Sequence, residues 1–161
     1  MTHTYTNEMR HFSGQVESRL ASPPIDHDLN ADICDAFRLD NDFDYAIELV
    51  EEEGLKFEDI FNSINCGALF WSPFHIVNQY ASGMIQTRQK MWNYFDKVKA
   101  SNPNFKYENI LNRLQGSNDK GTLLDYIDRR LNLTSDQSSI NQLKKFRLEV
   151  IERGGKRISE L

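Results

Sequence analysis

Phe74, Val77, Ala81, Met84, Arg88, Met91, Phe95 and Val98 recur at strict three- and four-residue intervals. In an α-helix, that spacing returns a side chain to the same seam at every turn. No other feature constrains the chain so tightly. The pattern predicts one helix over 73–98, about 39 Å long at ~1.5 Å per residue. A start signal precedes it: Ser72 can cap, and Pro73 is tolerated at the first helical position. Ile76, Tyr80, Ile85 and Trp92 widen the stripe beyond a two-stranded seam, so this helix is expected to lie among others. Arg88 is the odd member, needing an acidic partner from the first half of the chain or an escape to solvent.

The remaining apolar positions follow the same period, and no stretch alternates in the manner of a half-buried strand. The expected fold is all-α, a compact bundle of seven or eight helices around the central one. Met9, Phe12, Val16 and Leu20 mark a first helix, stopped by Pro23-Pro24, because proline cannot donate to a helix and restricts the residue before it. Leu29, Ile33 and Phe37 mark a second, with Asp28 as its expected N-cap. A third covers 45–53 with Asp42 or Asp44 as its cap and ends at Gly54; Phe57, Ile60, Phe61 and Ile64 mark a fourth. Beyond the central helix, Tyr107, Ile110, Leu111 and Leu114 precede Gly116, and Leu123, Leu124, Ile127 and Leu131 follow the SNDKG loop. Thr134 and Gln137 fit a capping box before the last helix, which carries Ile140, Leu143, Phe146, Val150 and Ile151 up to Gly154-Gly155.

Size scaling makes a chain of 161 residues one domain, with residues 1–22 as a semi-independent N-terminal helix joined through the proline pair. Residues 60–87 hold no Asp, Glu, Lys or Arg, yet Asn62, Asn65, Ser72, Pro73, His75, Asn78, Gln79, Ser82 and Gln86 interrupt them. A membrane-spanning helix is therefore not expected there. Cys34 and Cys66 have no Cys-x-x-Cys partner and the N-terminus has no signal-like apolar core; the expectation is reduced thiols in the cytoplasm.

Charge is distributed unevenly. Residues 1–80 hold 15 acidic and 4 basic side chains, whereas 81–161 hold 9 acidic and 15 basic. The imbalance concentrates in 26–59, with 13 acids against Arg38 and Lys56. Such halves attract each other inside a fold, stack between copies, or face different partners.

Within that acidic segment, Asp40, Asp42, Asp44 and Glu51 have the one, three, five, twelve spacing of a calcium-binding EF-hand loop. Tyr45 occupies the position where such a loop needs glycine, and Gly54 cuts the exiting helix short. The aspartates are better read as capping a short helix and favouring its positive end. Glu8 and His11 form one carboxylate–imidazole pair where a di-iron bundle needs two, and His11-Phe12-Ser13 is half of a paired phosphoesterase signature. Nucleophilic catalysis would most plausibly use Cys66, nine residues before His75, with nothing to fix their geometry.

With no complete catalytic constellation, the sequence favours a non-enzymatic interaction or regulatory protein without a cofactor or metal. Asp40, Asp42, Asp44, Glu48, Glu51 and Glu52 would form an acidic surface for a protein partner with a basic patch. One alternative is nucleic-acid binding through Lys144, Lys145, Arg147, Arg153, Lys156 and Arg157. Against it, Arg147 falls in the apolar arc of the last helix, and Glu149 and Glu152 interrupt the outer face. A second alternative is a small enzyme whose pocket is lined by 60–87, with Cys66, Trp71 and His75 exposed to it. Head-to-tail self-association is also open; a membrane partner is not expected.

Overall fold

The computed structural model describes residues 23–77, 82–115 and 121–161. The helix expected from Met9, Phe12, Val16 and Leu20, the Glu8–His11 pair and the closure at Gly116 lie outside them. The fold is all-α. The described residues contain eight α-helices: α1 (His27–Arg38), α2 (Phe43–Glu52), α3 (Phe57–Ile60), α4 (Pro73–Ile76), α5 (Ser82–Ser101), α6 (Glu108–Leu111), α7 (Leu123–Leu133) and α8 (Gln137–Glu152). Short 3₁₀ turns follow α3 (Phe61–Ser63) and close the chain (Ile158–Glu160). Among the described residues, no helix is long and apolar enough to cross a membrane.

α1 starts two residues earlier than expected, because Asp26, not Asp28, supplies the cap: its Oδ1 accepts from the Leu29 N–H at 2.7 Å. Leu29, Ile33 and Phe37 then face inward with Cys34 and Ala36. Asp42 caps α2, accepting from the Tyr45 N–H at 3.0 Å, and Phe43, Ala46 and Val50 are buried. Gly54 follows α2 with φ +72, a conformation in which a side chain costs about 1–2 kcal/mol.

The central helix departs from expectation. The helix begun at Pro73 closes at Val77, whose ψ of 21° leaves the helical region. The long helix is α5, which spans Ser82–Ser101. Where the first helix closes, the Val77 carbonyl accepts from Arg88 Nη1 at 3.1 Å. Arg88 itself is buried and its carboxylate is Glu149 on α8, not an acid of the first half. Its guanidinium also lies 4.4 Å from the Phe146 ring centroid.

One hydrophobic cluster runs from Leu29 on α1 to Val150 on α8. At its centre, Phe57, Phe61, Phe74 and Phe95 pack with ring centroids 5.6 to 6.1 Å apart. Each such ring contributes about 2–3 kcal/mol through burial.

Two other boundaries differ from the sequence reading. Thr134 and Gln137 form no capping box; the Thr134 hydroxyl donates back to the Arg130 carbonyl. Asp136 caps α8 instead, accepting from the Ser139 N–H and hydroxyl, each at 2.9 Å. The capping box belongs to α7, where Thr122 and Asp125 satisfy each other's backbone N–H groups.

Cys34 and Cys66 are joined in a disulfide across 5.6 Å between Cα atoms, so the expectation of reduced thiols is corrected. No spacing rule connects two cysteines 32 positions apart; the packing of α1 against the 64–72 segment brings them together.

Candidate protein-interaction surface

At about 100° per residue, Asp28, Asp32, Asp35 and Leu39 fall within one narrow arc of α1. The opposite side carries Ile33 and Phe37, both fully buried. Asp28, Asp32 and Leu39 are exposed and Asp35 is half-buried. The same rule places Asp44, Glu48, Glu51 and Glu52 together on the outer face of α2, opposite Ala46 and Val50, and all four are exposed. Amphipathic packing thus turns the carboxylates of both helices outward.

Few of these carboxylates have a cationic partner. Asp44 pairs with Lys90 Nζ at 2.8 Å, and Asp35 with Arg38 at 3.5 Å within its own helix. Asp28, Asp32, Asp40, Glu48, Glu51, Glu52 and Glu53 make no ion pair among the described residues. The calcium spacing does not become a loop, because 43–52 is helical, Asp42 is committed to capping and Tyr45 sits in the first turn.

The basic second half behaves differently. Arg147 and Arg157 both grip Asp128, at 2.6 and 2.7 Å, and Arg153 pairs with Asp96 at 3.1 Å. Partial burial works against charge on Asp128, but the hydrogen bonds from Arg147 and Arg157 outweigh it and hold its carboxyl below the ordinary range. Asp96 is held down in the same way by Arg153 and Tyr107. Of the six basic residues considered for nucleic acid, Arg147, Arg153 and Arg157 are therefore occupied within the fold. Lys144, Lys145 and Lys156 remain exposed.

The pairing of Cys66 with His75 as nucleophile and base is corrected by the disulfide, which leaves no thiol. His75 is buried between Trp71 and Tyr126, with ring centroids at 6.3 and 4.9 Å, and its Nδ1 lies 2.9 Å from the Ser72 hydroxyl. Burial first, then the charges of Arg113 and Arg129, push its pKa down to about 3. A cleft of about 320 Å³ opens between α3 and the 102–110 segment; Asn62 alone of the uncharged 60–87 stretch lines it, and Cys66, Trp71 and His75 do not.

One arrangement left no signal in the sequence. Between Cys66 and Trp71 the backbone folds into a small hairpin, with N–H to carbonyl bonds of 2.8 and 3.1 Å across the pair and a turn closed from Phe70 to Gly67. The buried Arg113 ties this hairpin to the segment that precedes it. Arg113 donates to the carbonyls of Phe61, Ile64 and Phe70 and to Asn65 Oδ1, at 2.8 to 3.2 Å. Among the described residues no carboxylate pairs with it, and burial lowers its pKa to about 10. Leu69 and Phe70 face solvent.

Compared with known proteins, the chain matches no family model, no curated protein and no solved structure. The class that fold and surface define is an all-α protein whose α1 and α2 turn carboxylates outward.

Proposed function

We propose that the protein is a non-enzymatic interaction or regulatory protein that binds a basic protein surface through the carboxylates of α1 and α2. One observation carries this reading. The basic half satisfies most of its arginines internally, while the acidic half leaves Asp28, Asp32, Asp40, Glu48, Glu51, Glu52 and Glu53 without ion pairs among the described residues. Unpaired like charges on adjacent helices repel one another and steer a cationic partner into encounter. The nucleic-acid reading loses support by the same comparison, since three of its six cations are already paired. The disulfide favours an oxidising setting over the cytoplasm, where such bonds are rare.

The test is affinity capture from the native host at about 50 and about 500 mM salt, where screening lengths differ several-fold. Wild type is compared with a variant carrying Glu48→Gln, Glu51→Gln and Glu52→Gln. Partners lost both at high salt and with the variant are the expected result. Equal recovery in all four conditions contradicts the reading.

A further inference from the structure

Phe70 has φ +56, a left-handed conformation that disfavours any residue with a Cβ. Such strain persists only where surrounding structure over-determines it, and it clusters at binding elements. Here the determinants are the Cys34–Cys66 bond at the hairpin's root and Arg113 on the Phe70 carbonyl. What they hold in place is an exposed apolar tip, with Leu69 37% and Phe70 47% exposed. The hairpin is stapled to α1, and a Cβ on Gly67 would lie 4.0 Å from the Arg38 guanidinium. The next residue, Leu39, is 71% exposed at the end of the α1 acidic ridge. A rigid apolar tip beside a row of carboxylates calls for a partner surface that is apolar and basic at once.

The chain carries such a surface itself. On α8, Lys144, Leu148 and Ile151 share one outward face, flanked on one side by Lys145 and by the exposed Glu152; Leu148 is 56% and Ile151 40% exposed. Both lysines are exposed and neither makes an ion pair among the described residues. Seven residues, about 10.5 Å along a helix axis, separate Asp32 from Leu39 and also Lys144 from Ile151. Laid parallel, the two stripes bring Asp32 to Lys144 and Leu39 to Ile151 in a single register, with Leu148 between them for the hairpin tip.

We propose that the 67–70 hairpin tip and the α1 ridge, Asp28, Asp32 and Leu39, form the docking surface for the outer face of α8 of a second copy of this chain. The proposal rests on the acidic-surface reading and names its partner. An anionic membrane is disfavoured as occupant because the ridge repels acidic headgroups. The contact joins two different patches, so it is heterologous, and each copy can both give and receive it.

The test is mass measurement by sedimentation equilibrium over a concentration series from about 5 to about 200 μM, a range that resolves dissociation constants of micromolar order. Wild type is expected to exceed monomer mass, with association weakened about tenfold or more by Phe70→Gly. Glycine suits the backbone at that position, so such a loss reports docking and not folding; Leu148→Ser/Ile151→Ser on the opposite surface must weaken it equally. Asp28→Lys/Asp32→Lys and Lys144→Glu/Lys145→Glu are each expected to remain monomeric alone and to associate when mixed, because each restores the other's complement. A wild type that stays monomeric throughout overturns the proposal, as does association that the four variants leave unchanged. So does binding of the tip to phosphatidylserine vesicles in place of self-association. Monomeric wild type together with salt-sensitive capture of another protein would sink this inference while leaving the acidic-surface reading intact.

Discussion

Arg88 on α5 meets its carboxylate in Glu149 on α8, 61 positions away, at 3.3 Å from Nε to Oε1. The same Glu149 oxygen accepts from Trp92 Nε1 at 3.0 Å. The pair is almost out of solvent, with side-chain exposures of 3% and 19%. Removing one member leaves a buried charge without compensation, which costs about 3–5 kcal/mol. Glu149→Gln is therefore expected to lower the denaturant midpoint far more than Glu152→Gln, whose side chain is exposed on the same helix. Equilibrium unfolding of the two variants checks this.

The Cys34–Cys66 bond closes a loop with a sequence separation of 32. Chain-entropy arguments assign such a cross-link about 3–4 kcal/mol. Cys34→Ser/Cys66→Ser is expected to lose that much stability, and thiol titration of the unfolded, unreduced wild type should find no free sulfhydryl. Two titratable thiols per chain from protein made in an oxidising compartment would contradict the bond.

Apolar stripes marked most of the described helices, but the longest stripe, over 73–98, does not form one continuous helix. Leu29, Ile33 and Phe37 turned inward as their spacing required, and the outward carboxylates of α2 followed from Ala46 and Val50 facing the core. Caps shifted because several residues could serve: Asp26 competed with Asp28, and Asp136 with Thr134. The break at Val77 was not legible, and neither was the partner of Arg88, which depends on which distant groups share the interior. The hairpin tip was hidden for a related reason. Leu69 and Phe70 sit in an uncharged stretch, and the turn that exposes them is held by Cys34 and Arg113, both distant in sequence.

Among the described residues Arg113 has no carboxylate to neutralise it, and its guanidinium is satisfied by carbonyls and one amide oxygen. Arg113→Met would remove the donors while filling much of the volume, leaving carbonyls of Phe61, Ile64 and Phe70 without this donor. A loss on the order of 2–4 kcal/mol is expected, with hydrogen exchange at 66–71 accelerating more than at α8.

Strain at Phe70 makes a prediction of the opposite sign. Phe70→Gly relieves the left-handed conformation, partly offset by the greater freedom of glycine when unfolded. Stability is expected to rise by up to about 1 kcal/mol, readable as a higher melting temperature. A destabilised variant would mean that the ring is held by contacts that outweigh the strain.

Acid should weaken the fold by two routes of the same sign. His75 has its pKa lowered from 6.5 to about 3, so the unfolded chain takes up a proton there that the native state refuses. Its contribution is complete above about 6.5 and is lost as pH falls toward about 3. Asp128, held down by Arg147 and Arg157 against partial burial, is likewise stabilising above its unfolded pKa and loses that contribution as pH falls through its lower folded value. His75→Phe is expected to flatten the stability profile between pH about 6.5 and about 3; guanidinium titrations at stepped pH measure it.

The central claim is that α1 and α2 present the recognition surface, and hydrogen–deuterium exchange on the bound protein addresses it most directly. With a captured basic partner in place, slowed exchange is expected across 27–52, and the slowing should fade at high salt. Amides of α1 and α2 that exchange at the same rate bound and free would contradict the account.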